Sequence, residues 1–134
     1  MDDFQTIHLG QGRTCIAPDG FGVRALLRLK GGSMGHFELS AGQISRAVAH
    51  RTVEEIWYFT GGKGEIWRKQ GERQEIVVVE GGVCVTIPRG TSFQVRSSGP
   101  DSLRAIAVTM PPWPGNDEAY RVEGWWAAAA PEMT

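Results

Sequence analysis

The sequence predicts an all-β protein, a sandwich or a barrel, on three observations. About nine short runs rich in Val, Ile, Phe and Trp recur at the roughly 8–12-residue spacing of such folds. Glycine, 18 residues in all, gathers between these runs instead of scattering through them. No window sustains the helical apolar period of about 3.6 residues. Short strands of even spacing joined by glycine turns are the pattern of antiparallel sandwiches and barrels.

The elements follow in order from that punctuation. A strand at Gly22–Leu29 stops at Gly31-Gly32, Met34–Leu39 follows, and Ile44–His50 begins after Gly42. Glu55–Thr60 runs to Gly61-Gly62, Gly64–Lys69 to Gly71, and Gln74–Val79 to Gly81-Gly82. Val83–Ile87 ends at Pro88 and Gly90, Ser92–Arg96 at Gly99-Pro100, and Leu103–Thr109 at PPWPG. That last segment cannot enter a sheet interior, because proline lacks the ladder donor. Beyond it, Asn116-Asp117-Glu118 reads as the cap of a short turn before Trp125-Trp126 and four alanines. One domain over 1–134 is expected, with a barrel core at about 20–110 and a strap at 111–134 laid over it. The glycine cluster Gly61-Gly62-Lys63-Gly64 precedes a strand and not a helix, so it is a turn and not a phosphate loop.

The strands IWYF (Ile56–Phe59) and IVVV (Ile76–Val79) carry apolar residues on both faces. Such strands bury one face in the barrel and the other under a second layer or a partner subunit, so a homodimer is expected.

Bulk properties narrow the function. At 134 residues the chain is long enough to bury a core without staples. A formal charge of −1 offers no basic stripe, so nucleic acid is not an expected partner. Cys15 and Cys84 make no CxxC pair and no disulfide framework; Cys84, in the apolar run VCVTI, reads as a buried inert thiol. The opening MDDFQTIHLG lacks the order of a secretion signal and no apolar run has bilayer length, so a cytoplasmic protein without membrane contact is expected.

Period-two geometry sorts the residues around Gly42–Gly62. Arg46, Val48 and His50 share one face, with Ala47 and Ala49 on the other. Glu55, Trp57 and Phe59 share the next strand's face, and Glu54 points opposite to Glu55. If Glu55 points inward, two large aromatics line a cavity beside it. A histidine facing it across adjacent strands would hydrogen-bond to it and be held as imidazolium. Arg46 suits a clamp for a carboxylate or phosphate, and Arg24 and Arg28, on one face of the first strand, invite the same role. Trp57 and Trp67 suit stacking on a ring or packing in the core.

These spacings resemble those of the cupins. The first cupin motif, G-x5-H-x-H-x(3,4)-E-x6-G, is matched by Gly42, the triplet Val48-Ala49-His50, Glu55 and Gly62. The second, G-x5-P-x-G-x2-H-x3-N, is matched by Gly82, Pro88, Gly90, Phe93 and Ser97. The resemblance implies a double-stranded β-helix, or jelly-roll barrel, with a central pocket. In metal-binding cupins three histidines and a glutamate hold the ion; here those places carry Val48, His50, Glu55 and Phe93, and Ser97 stands for the asparagine. Zinc or non-haem iron needs three or more protein ligands, so His50 and Glu55 alone fall short. His8, His36 and Gln94 are the remaining candidates to complete a set, and none has a spacing in its favour.

Three functional readings follow. In the first, a pocket for a small polar or anionic molecule uses His50, Glu55 and Arg46 as polar anchors among Val48, Trp57, Phe59, Phe93 and Gln94. His50 is then the natural general base and Glu55 its orienting partner, for isomerisation or epimerisation beside a carbonyl. In the second, a metal-dependent dioxygenase, isomerase or lyase holds Fe, Zn, Mn or Ni at His50 and Glu55. In the third, the chain is a non-catalytic structural or regulatory dimer.

Overall fold

The computed structural model describes residues 3–134; Met1 and Asp2, the first two residues of the expected domain, lie outside the described residues. A 3-10 turn at Leu9–Gln11, the first of two, with the other at Asn116–Glu118, leads into a strand that the apolar pattern misses, β1 (Arg13–Ile16). The nine expected strands follow as β2 (Gly22–Leu29), β3 (Gly32–Leu39), β4 (Val48–His50), β5 (Glu54–Gly61), β6 (Lys63–Gln70), β7 (Arg73–Glu80), β8 (Cys84–Ile87), β9 (Ser92–Ser97) and β10 (Leu103–Met110). A three-residue strand, β11 (Ala119–Arg121), comes last. Strand β4 is shorter than expected, and Ile44 makes isolated bridges to Arg96 and Ala129 instead. Among the described residues no helix is long and apolar enough to cross a membrane.

Two antiparallel sheets result, ordered β1-β2-β3-β10-β5-β8 and β11-β4-β9-β6-β7. Strict alternation along each strand builds the core between them. In β5, Glu55, Trp57 and Phe59 are buried while Glu54, Ile56 and Tyr58 are exposed. Trp57 sits at the centre, with the rings of Phe21, Phe37, Phe59 and Phe93 tilted or edge-on around it at 5.3–6.0 Å. Each such ring contributes about 1.5–3 kcal/mol by burial, and the edge-to-face geometry about 0.5–1.5 kcal/mol more. The β5–β6 turn is glycine for a steric reason: Gly62 has φ +78°, and a Cβ there would collide with the Ser102 carbonyl oxygen.

Two expectations are corrected here, one for Cys84 and one for Arg24 with Arg28. Cys84 is exposed, because Val85 and Ile87 take the inward positions of β8. The outer faces of IWYF and IVVV are not covered within the chain: Ile56, Tyr58, Ile76 and Val78 are all exposed. Arg24 and Arg28 do not share a face. The β2–β3 register runs Ala25↔Gly35 and then Arg28↔Ser33, so three steps along β2 match two along β3. The extra residue of this bulge, at Leu26–Leu27, reverses the alternation beyond it.

Candidate functional site

A cavity of about 510 Å³ opens between the inner face of β1–β3 and the strap that follows β10. Its buried lining residues, among them His50, Glu55, Trp57, Phe93 and Thr109, form the floor. Its exposed lining residues, Arg13, Cys15, Ala25 and Arg28, form the mouth. Most of the surface between is apolar, from Val23, Leu26, Leu27, Phe37 and Trp113.

The floor is built by register. Thr109 on β10 stands opposite Glu55 on β5, and its hydroxyl donates to Glu55 Oε2. The Trp57 indole N–H, two residues along β5, donates to Glu55 Oε1 at 3.0 Å. His50 ends β4, where Ala119 of β11 pairs with it, and its ring lies edge-on between Phe93 (5.2 Å) and Trp113 (5.3 Å). Glu118 pins the turn after His50: its carboxylate accepts from the Thr52 amide at 2.6 Å, from the Thr52 hydroxyl and from the Val53 amide at 3.4 Å.

His50 Nδ1 lies 3.7 Å from Glu55 Oε1, close enough to count as an ion pair if both were charged, yet beyond hydrogen-bond reach. The expected hydrogen bond and the expected imidazolium are therefore both corrected. Burial pushes the His50 imidazole down to about 4, against a weak opposing pull from the Glu118 carboxylate. Burial also pushes Glu55 up to about 7, ahead of the donors Thr109 and Trp57, which favour its charged form, and with the negative fields of Asp19 and Glu118 adding to the rise. Between those values the two groups face each other uncharged. His50 is only 4% exposed, and its Nδ1 has no hydrogen-bond partner among the described residues.

The donor set does not fit a cupin metal. Val48 and Phe93 pair across β4 and β9 in register and are 0% and 1% exposed, so two of the four ligand places are packed hydrocarbon. Both carboxylate oxygens of Glu55 already accept from protein donors. No group of three or more His, Cys, Asp or Glu side chains placed to hold an ion occurs among the described residues. The suggested substitutes lie elsewhere. His8 caps the first 3-10 turn, its ring accepting from the Gly10 amide at 3.1 Å, and His36 pairs with Ile106 on β10 and with Arg24 on β2, away from the cavity.

Of the residues singled out in the sequence, Arg28, His50, Glu55, Trp57 and Phe93 line the cavity, and Arg24, Arg46, Val48, Phe59, Trp67 and Gln94 do not. Val48 and Phe59 are core. Arg46 grips the strap, donating to the Pro131 and Ala130 carbonyls at 2.7 and 3.0 Å and pairing with Glu132. Gln94 is the strap's other anchor: its amide nitrogen donates to the Ser45 and Trp126 carbonyls, and its oxygen accepts from the Trp125 and Trp126 amides.

Sequence reasoning missed Asp19 and Trp113. Asp19 sits in a Pro-Asp-Gly turn, a setting that reads as surface, but it lines the cavity and is 8% exposed. Burial pushes its carboxyl up to about 6 against the Phe21 amide, its own amide and Arg46. Trp113 carried one signal, a lone aromatic among the prolines of PPWPG.

No protein-family model matches the sequence, and no curated protein matches it. Solved structures do. The cupin domain of Cnp3 from Schizosaccharomyces pombe superposes with a TM-score of 0.61 at 14% identity, over 68% of this chain and 64% of that one. Oxalate decarboxylase from Bacillus subtilis gives a TM-score of 0.74 at 14% identity, over 90% of this chain and 34% of its own. The polyketide cyclase RemF from Streptomyces resistomycificus gives 0.72 at 18% identity, over 92% and 88%. This chain thus spans less than two thirds of the first two. Identities this low speak to architecture alone, and on that the backbone and the motif spacing agree: the chain has the cupin fold, a double-stranded β-helix.

Proposed function

We propose that this protein binds a small, largely apolar, ring-bearing molecule in its central cavity and moves a proton beside the molecule's carbonyl group, without a resident metal. The observation that carries the reading is His50: a neutral, almost wholly buried imidazole with an unpartnered nitrogen on the floor of an apolar cavity. A buried polar atom left unpaired costs about 1–3 kcal/mol, and such groups persist where a ligand or a movement completes them. Hydrogen bonds of catalytic pairs are often long without substrate and tighten with it. A closure of the 3.7 Å gap lets Nδ1–H donate to Glu55 Oε1, which leaves Nε2 as the acceptor. His50 then takes a proton from the carbon next to the carbonyl. The C–H pair delocalises onto the carbonyl oxygen as an enolate, the Glu55 carboxylate stabilises the imidazolium, and the proton returns to carbon. The apolar lining shifts the expected ligand away from a sugar and toward a ring that packs against Trp113 and Phe37. RemF, whose name makes it a polyketide cyclase, is a full-length neighbour in keeping with that class.

The test uses 2-acetylnaphthalene. It should quench the intrinsic tryptophan fluorescence, and its methyl protons should exchange with deuterium oxide faster with the protein than without. The exchange should rise with pH around 7 as Glu55 ionises and be lost in His50→Phe. Unchanged exchange in His50→Phe would dismiss the proton-transfer role.

We also propose a homodimer in the cytoplasm. The exposed Ile56 and Tyr58 support self-association, and two free exposed cysteines suit a reducing compartment. Light scattering that shows a monomer would remove the dimer, and a dimer indifferent to Ile56→Lys with Tyr58→Lys would remove this face as its interface.

A further inference from the structure

At the cavity mouth, two arginines reach the same space from neighbouring strands. Arg13 on β1 pairs with Ala25 on β2, and beyond Ala25 the Leu26–Leu27 bulge puts Arg28 on the same face as Ala25. Without the extra residue Arg28 would follow Arg24 to the outer face, where Arg24 stands opposite His36. Bulges are enriched beside functional sites because they re-aim a side chain in this way. Arg13 and Arg28 both line the cavity, and neither makes an ion pair or a side-chain hydrogen bond among the described residues. Among the described residues, the other charged side chains that line the cavity are the carboxyls of Asp19 and Glu55, set deep on the buried side. The cavity is therefore polarised: cationic at the mouth, apolar along its walls, hydrogen-bonding on the floor.

We propose that Arg13 and Arg28 bind a carboxylate on the ligand, so that the occupant is an aromatic or polycyclic carboxylic acid entering ring first. Guanidinium groups suit this role by their paired donors and permanent charge. The acid group stays at the mouth, where it keeps water, and the ring fills the apolar middle. This orientation avoids bringing an anion to the two floor carboxyls. The inference rests on the cavity reading above, and it adds the ligand's charge and its direction of entry.

The test compares 2-naphthoate with its methyl ester, by tryptophan quenching at low salt. The wild-type protein should bind the acid at least tenfold more tightly than the ester. Arg13→Ala and Arg28→Ala should each weaken the acid several-fold, and the double variant should erase the preference. Ester binding should stay unchanged in all three, and Arg24→Ala, on the outer face, should alter neither. An acid held no more tightly than the ester, or an acid indifferent to both cavity arginines while the ester still binds, overturns the arginine site and leaves the cavity reading standing. Failure of both probes to bind overturns the two together.

Discussion

The strap seam and the cavity floor lie only residues apart, yet they treat polar groups in opposite ways. Gln94 satisfies all its amide capacity with four bonds, three of them across the seam to the strap, Arg46 makes three, and Glu118 three. On the floor, His50 Nδ1 makes none, and its neighbour Glu55 is held near neutrality by burial. Next-door positions on β9 show the contrast most sharply: Phe93 fills the place where a metal-binding cupin puts a histidine, and Gln94 sews the strap down. The saturated groups of the seam hold the strap down, and the unpartnered imidazole faces the cavity.

The largest expected effect breaks the seam. Gln94→Ala strips four bonds at about 1 kcal/mol each, so a loss on the order of 4 kcal/mol is expected in urea denaturation. A loss under about 1 kcal/mol would erase the contrast from the seam's side.

Next comes the floor's pH dependence. Glu55 carries a folded value of about 7 against 4.5 for the free side chain. A raised carboxyl stabilises the fold most when protonated, so its contribution is complete below pH 4.5 and disappears as pH rises through 7. The difference is worth about 3 kcal/mol at 1.36 kcal/mol per unit. Glu55→Gln should flatten that part of the curve, leaving a smaller decline from Asp19, raised from 3.8 to about 6. His50 has the opposite sign: its depressed value gives stability that is present above pH 6.5 and lost toward pH 4.

The smallest effect sharpens the comparison most. His50→Phe replaces an unpartnered ring with an apolar one of similar shape between Phe93 and Trp113, so stability should change by less than about 1 kcal/mol. Proton exchange should nonetheless vanish. A large destabilisation would make His50 a structural residue.

Much of the fold was legible because it depends on local rules. Glycine turns and period-two alternation located nine strands, and the Gly42–Gly62 and Gly82–Ser97 spacings carried the barrel. The strands β1 and β11 escaped because four and three residues hold no period. The site was half legible. Alternation aimed Glu55 and Trp57 inward correctly, but it put Arg24 on the same face as Arg28, since one inserted residue in β2 inverts every later position. Arg46 and Gln94 were misplaced for another reason: their partners lie 31 to 86 residues away in the strap, and no spacing within a strand reveals them. The charge of His50 depended on how completely the barrel excludes water, which only the assembled structure specifies.

The claim beneath all of this is that His50 stays an uncharged, free imidazole on the cavity floor. Nitrogen-15 NMR of its ring across a pH titration tests it directly. The expected result is a neutral ring down to about pH 4, with Glu55 titrating near 7 in a carbon-13 experiment. A ring that protonates at or above 6.5 while Glu55 titrates below 4.5 would describe an ordinary buried ion pair and contradict the account.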